Sequence, residues 1–237
     1  MNSVLSLPTG TVADAALSIV RDTVSTPIVE HSLRSFYFAR LIAEQEGALT
    51  DAAYDEGLLF AAAVMHDLGL GTLGQGKARF EVEGADLAAA LLTEHEVPAA
   101  DVGRVWEAIA LHSSIGLADR LGLLTYLTHK GVFTDGGRVA ELPADAQEPI
   151  RIAYPRSSGD RSLQDAIITH ARRSTAAAPP FSIAAELLRQ NSAQDRARSR
   201  TGTGWAVGRW RDLLAGRRCA DSQLWRRGRP ESGQSTG

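Results

Sequence analysis

Apolar side chains recur along this chain at steps of three and four residues and almost nowhere alternate with polar ones, the periodicity of helices rather than strands. Ala16, Leu17, Ile19 and Val20 mark an amphipathic helix that starts at Val12 and ends near Pro27, because proline disfavours helical geometry in the residue before it. Residues 29–46 carry Leu33, Phe36, Tyr37, Leu41 and Ile42 on the same spacing, with Gly47 as the stop. Asp51 is the expected N-cap of a third helix that runs through Tyr54 to Leu68 and stops at Gly69. Four glycines within residues 69–76 predict a loop, since glycine costs about 1 kcal/mol relative to alanine inside a helix. Further helices are expected over 82–95 and 99–112, with Pro98 at the junction, and then over 117–130, 144–153, 162–173 and 183–190. A loop is expected over 131–137. The fold class is therefore all-α.

After residue 193 the pattern fades. Val207, Leu213, Leu214 and Leu224 are the only Leu, Ile or Val residues in the last 44 positions, too few to offset the entropy of ordering them. Ten arginines against four acidic residues give this tail a charge of +6, so the body carries −9 of the net −3. The expected organisation is one domain over residues 1–193 and a disordered tail over 194–237. The net charge of −3 argues against nucleic-acid binding as the main task, because such binding needs a basic footprint to displace counterions. A basic arm with Trp205, Trp210 and Trp225 stacking on single-stranded nucleic acid is the weaker alternative for this tail. A lone cysteine, Cys219, excludes an intramolecular disulfide. With no apolar run long enough to span a bilayer and no secretory pattern at the start, a cytoplasmic protein with no membrane partner is expected.

The chemistry concentrates at His66-Asp67, which ends the most apolar run of the chain, Leu58-Leu59-Phe60-Ala61-Ala62-Ala63-Val64-Met65. An ionisable pair on a buried helix costs several kcal/mol if it lacks partners, so it demands an ion or a base. His31 upstream and Asp135 downstream, in Phe133-Thr134-Asp135-Gly136, complete a candidate cage of imidazole and carboxylate donors suited to a divalent transition metal. Adjacent helical residues point about 100 degrees apart, so His66 and Asp67 reach one ion only if the last turn loosens, as Gly69 permits.

The ordered set His31, His66-Asp67, Asp135 resembles the HD-domain superfamily of metal-dependent hydrolases. The segments His31-Ser32-Leu33-Arg34-Ser35, Arg79-Phe80-Glu81-Val82-Glu83-Gly84-Ala85 and Ile109-Ala110-Leu111-His112 look like its cyanamide hydratase-like branch. The resemblance covers about residues 10 to 190. It implies a helical bundle around one divalent metal held by His31, His66, Asp67 and Asp135, with zinc or iron ahead of manganese or nickel. It further implies a catalytic role for Asp67, and proton transfer or support of the centre by Glu81 and His112. The implied reaction adds water to a small molecule such as cyanamide, giving urea, or to a related nitrile. An HD-type phosphohydrolase acting on a nucleotide or phosphate ester is the alternative. That chemistry needs cations, and with only Lys77 and Lys130 as lysines, Arg34 and Arg79 are the candidate substrate clamps. Apolar Leu68 and Leu70 beside the pair favour the neutral substrate. A non-catalytic sensor, in which the ion only holds helices together, is the third reading.

Overall fold

The computed structural model of this chain describes residues 5–137, 142–156 and 161–201, with side chains through residue 194. Among the described residues every regular element is helical. The chain divides into two units, residues 1–193 and 194–237. No helix among the described residues is long and apolar enough to cross a membrane.

The first unit is built around α3 (Glu56–Met65), whose residues from Leu58 to Met65 are all buried. A helix apolar on every face can sit only inside other helices. Here α1 (Thr11–Thr23), α2 (Thr26–Gln45), α4 (Phe80–Glu94), α5 (Ala99–Leu111) and α6 (Leu123–Asp135) all pack against it. Each fully buried Leu, Phe or Met of that helix contributes about 1.5–3 kcal/mol relative to exposure. Around this centre α2 lies along α6, and α4 along α5. Helix α7 (Ala144–Ala153) leans on α2. Helices α8 (Ser162–Ala171) and α9 (Ile183–Thr201) cover Phe80 with Ile167, Ile168, Ala171, Ala184 and Leu187.

Several boundaries differ from the periodicity, each for a physical reason. Pro27 lies in the first turn of α2, where its missing N–H goes unneeded, rather than closing a preceding helix. Asp55, not Asp51, caps α3 by accepting the Leu58 N–H at 2.9 Å, while Asp51 closes a local turn on Ala53. Helix α6 does not stop before Gly131. It continues to Asp135, because a Cβ at residue 131 would stand 2.2 Å from the Ser35 carbonyl oxygen, and the bare glycine lets α2 and α6 approach that closely. Helix α9 runs past Gln190 to Thr201 through Ala, Gln and Arg, all good helix formers, into residues expected to be a disordered tail. The rest of that expectation, residues 202–237, lies outside the described residues.

The glycine-rich segment after His66-Asp67 is pinned. Gly69 abuts the start of α4 so tightly that a Cβ would meet the Phe80 carbonyl oxygen at 2.1 Å. Glu83, one turn into α4, accepts the backbone N–H groups of Gln75, Gly76, Lys77 and Ala78 at 2.5–3.1 Å. From the end of α8, His170 Nε2 donates to the Ala78 carbonyl at 3.0 Å and Ser174 Oγ to that of Gly76 at 2.5 Å, and Arg173 donates to Gly74. Burial pushes the Glu83 carboxyl up, but the four N–H donors outweigh it and hold it below the usual carboxylate range.

Two outcomes follow. Glu83→Gln replaces one acceptor oxygen by a donor facing N–H groups, and should lower stability at pH 7 by about 1–3 kcal/mol in urea unfolding. Because the folded-state pKa is depressed, this contribution is present above the ordinary value of 4.5 and lost as pH falls through the depressed one, so wild type and variant should converge there. Gly131→Ala should force α2 and α6 apart and cost about 1–3 kcal/mol, read as a shift in the same unfolding midpoint.

Candidate metal centre

Helix α3 ends at Met65, and His66 and Asp67 occupy the turn between it and a short 3-10 segment, Leu68–Leu70. Asp67 has left helical geometry, with φ −104° and ψ 13°. That departure is what brings two adjacent side chains to one point. His66 Nδ1 donates to the Ala63 carbonyl at 2.7 Å, so in the neutral ring Nε2 carries the lone pair. His31, in the second turn of α2, donates Nδ1–H to Asp135 Oδ2 at 2.7 Å and likewise leaves Nε2 as the acceptor.

These two acceptor nitrogens face each other at 3.2 Å. Asp67 Oδ2 stands 3.2 Å from His66 Nε2 and 3.8 Å from His31 Nε2, at ion-pair distance but without hydrogen-bond direction, and it is buried with no hydrogen-bond partner. Three lone-pair donors with no donated hydrogen between them repel unless a proton or a cation sits there. Burial pushes His66 down, yet the charge of Asp67 and the Ala63 carbonyl outweigh that and raise it above its ordinary value. Burial pushes Asp67 up, and His66, then His31 and His112, overcome that to hold it well below the carboxylate range. The electrostatics of the pocket thus call for positive charge at the place where the three atoms meet. Donors held about 2.0–2.2 Å from one ion stand about 2.8–3.6 Å apart in octahedral or tetrahedral geometry, a range that takes in the two separations of 3.2 Å and falls short of the third at 3.8 Å. Among the described residues, His31, His66 and Asp67 form a group whose ligand atoms all lie within 4.8 Å of one another. With three protein donors, coordination positions remain for water and substrate.

Asp135 is not in that group. Its carboxylate lies behind His31, taking His31 Nδ1–H and a two-pronged contact from Arg34, with Nε to Oδ1 at 2.7 Å and Nη2 to Oδ2 at 3.0 Å. Both oxygens are therefore engaged away from the point where the other three converge, and the expectation of a fourth ligand from Asp135 differs from this arrangement. Burial pushes its carboxyl up, but the His31 and Arg34 contacts hold it well below the usual range. Arg34, a candidate substrate clamp from the sequence, is buried, and its remaining nitrogen donates to the Tyr154 carbonyl at 3.2 Å, leaving no face for an anion.

His112, the C-cap of α5, lies next to the centre. Its Nδ1 donates to the Ile109 carbonyl at 2.7 Å, and Nε2 stands 3.9 Å from Asp67 Oδ1. Burial, reinforced by neighbouring His66, pushes it down to about 4, so at neutral pH it is an uncharged base. Glu81 is buried and paired with Arg79, Nη2 to Oε1 at 2.8 Å and Nε to Oε2 at 3.3 Å, and accepts Ser113 Oγ–H at 2.5 Å. Its negative charge acts on His112, favouring the protonated imidazole. Arg79 remains 28% exposed, beside this group.

Sequence reasoning missed His129, Ser113 and Tyr154. His129, on α6, is buried and donates Nδ1–H to the His112 carbonyl at 2.7 Å, bracing the segment that carries His112, and burial pushes its imidazole down. A histidine in an apolar helix was visible, but its partner 17 positions earlier was not.

Removing one of the three converging donors should empty the centre. His66→Ala is expected to lose stoichiometric zinc binding, measured by metal analysis after gel filtration, while keeping helical circular dichroism. Full retention of zinc would place the centre elsewhere.

Comparison with curated proteins gave no significant match. The HD domain family model matches residues 28–153, from α2 through α7, and so takes in all four residues of the expected cage together with Glu81 and His112. HD domains are typically metal-dependent hydrolases, and the facing donors of His31, His66 and Asp67 agree with that type of function. With more than half its length matched and an all-helical body around the pair His66-Asp67, this chain belongs to the HD domain family.

Proposed function

We propose that the chain is a metal-dependent enzyme that adds water to a small uncharged substrate, with cyanamide or a related nitrile as the substrate class. The observation that carries this is the convergence of His31 Nε2, His66 Nε2 and unpartnered Asp67 Oδ2, with neutral His112 beside them. Those three atoms would hold the ion, and His112 lies on the Oδ1 side of Asp67. A divalent ion bound there supplies Lewis acidity, lowering the pKa of water from 15.7 to about 7 and polarising the group under attack.

The protein's own part is proton handling and orientation. His112 Nε2 takes a proton from water as the C–O bond forms at the nitrile carbon. One C–N π bond breaks, its electron pair moves to nitrogen, and the imidazolium of His112 returns the proton there. A second proton shift from oxygen to nitrogen completes urea, or the amide, with no leaving group. The carboxylate of Glu81, clamped by Arg79 and Ser113, favours the protonated His112 between these steps. The fixed Nδ1–H to Ile109 contact keeps Nε2 as the working atom.

Charge favours this reading over phosphoryl chemistry, which needs cations around the equatorial oxygens. Arg34 has all three nitrogens engaged, and Arg79 uses Nε and Nη2 on Glu81. The partial exposure of Arg79 is the one observation that favours the phosphohydrolase, in which it would meet an anionic group.

Full-length protein loaded separately with Zn²⁺, Fe²⁺, Mn²⁺ or Ni²⁺ should release urea from cyanamide, or an amide from small nitriles, faster than buffer. His112→Gln should lower kcat by about 100- to 10,000-fold while the metal is retained. Turnover no faster than buffer with all four ions rejects the nitrile substrate, and phosphate release from nucleotides transfers the case to the second reading.

A further inference from the structure

The three imidazoles at the centre are not fixed by the same means. His66 and His112 each donate Nδ1–H to the backbone carbonyl three residues earlier, Ala63 and Ile109, so their tautomers are set within their own chain segments. His31 has no such local partner for Nδ1, which reaches the carboxylate of Asp135, 104 positions away on α6. An imidazole with Nδ1 protonated presents Nε2 as a lone pair, and the opposite tautomer presents a hydrogen to the ion. For His31 that choice rests on one carboxylate.

We infer that Arg34 is a positioning residue for the metal centre, acting through Asp135 on His31. This inference rests on the metal-centre reading above and extends it to a residue that touches neither ion nor substrate. Arg34 follows His31 by three residues on α2, so the two side chains share one helix face and meet the same carboxylate from α6. The guanidinium fork holds Asp135 through both oxygens, at 2.7 and 3.0 Å, which fixes the plane of the carboxylate and leaves Oδ2 aimed at His31 Nδ1. Its third nitrogen is tied to the Tyr154 carbonyl at 3.2 Å, and Tyr154 stacks on Tyr37 of α2. Arg156 donates to the Asp135 backbone carbonyl at 2.9 Å, holding the end of α6 from the same side. Lysine, a single-point donor, cannot reproduce this fork.

The test is zinc affinity of the full chain by chelator competition, for wild type, Asp135→Asn, Arg34→Met and the double variant. A contact that only orients a ligand changes metal affinity by about 10–100-fold, so each single variant should weaken zinc by that factor. The double variant should bind no worse than the weaker single, because both act through one side chain. In long-range ¹H–¹⁵N spectra of the metal-free protein, His31 should be protonated at Nδ1 in wild type and become a tautomer mixture in both single variants. Arg34→Lys, which keeps the charge, should fall between wild type and Arg34→Met and serves if the methionine variant does not fold. Zinc affinity unchanged in Arg34→Met or Arg34→Lys overturns the inference. So does a loss beyond 1,000-fold in Asp135→Asn beside near-normal Arg34→Met, which would make Asp135 a direct ligand. Failure of the wild type itself to bind zinc or any of the other three ions takes down the metal-centre reading instead.

Discussion

Two imidazole lone pairs and one carboxylate oxygen point at each other inside the bundle, 3.2 to 3.8 Å apart, and this repulsion is the constraint around which the rest of the fold is organised. Left uncompensated it costs several kcal/mol, since none of the three can turn to water. A proton on His66 relieves it partly, and a divalent cation relieves it fully. The same interaction is a stability problem for the bare chain, and a metal bound there would tie folding to binding.

Holding such atoms together takes unusually tight packing. Helix α3, buried at every residue from Leu58 to Met65, delivers His66 and Asp67, and the backbone leaves helical geometry at Asp67 so that both side chains reach one point. Gly131 lets α6 slide against α2 until Asp135 meets His31. Gly69 does the same for the turn after Asp67 against α4, and Glu83 then gathers four backbone N–H groups of the following loop. Each contact removes a freedom from the segments that carry the three converging atoms.

The charges around the centre are balanced in pairs. Arg34 faces Asp135 and Arg79 faces Glu81, so Asp67 is the carboxylate of this group that faces no arginine. On the proposed reading, arginines that neutralise internal carboxylates leave the centre to a substrate that brings no charge, and the partly exposed Arg79 is what the phosphohydrolase reading would use. Burial and His66 lower His112, so the imidazole beside Asp67 is uncharged at neutral pH, as the proposed role of base requires.

The order of residues made the all-helical class and the buried character of residues 58–65 legible and pointed to His66-Asp67, because all three depend on local spacing and on the cost of ionisable groups in an apolar segment. It also singled out His31, Asp135, Glu81 and His112, though not how they divide the work. That Asp135 lies behind His31, that Arg34 grips it and that His129 braces His112 emerges from the packing of the helices alone, since these contacts join residues 104, 101 and 17 positions apart. Helix ends moved for the same reason: the stop expected before Gly131 vanished because that glycine serves the close approach of α2, a neighbour no local pattern can reveal.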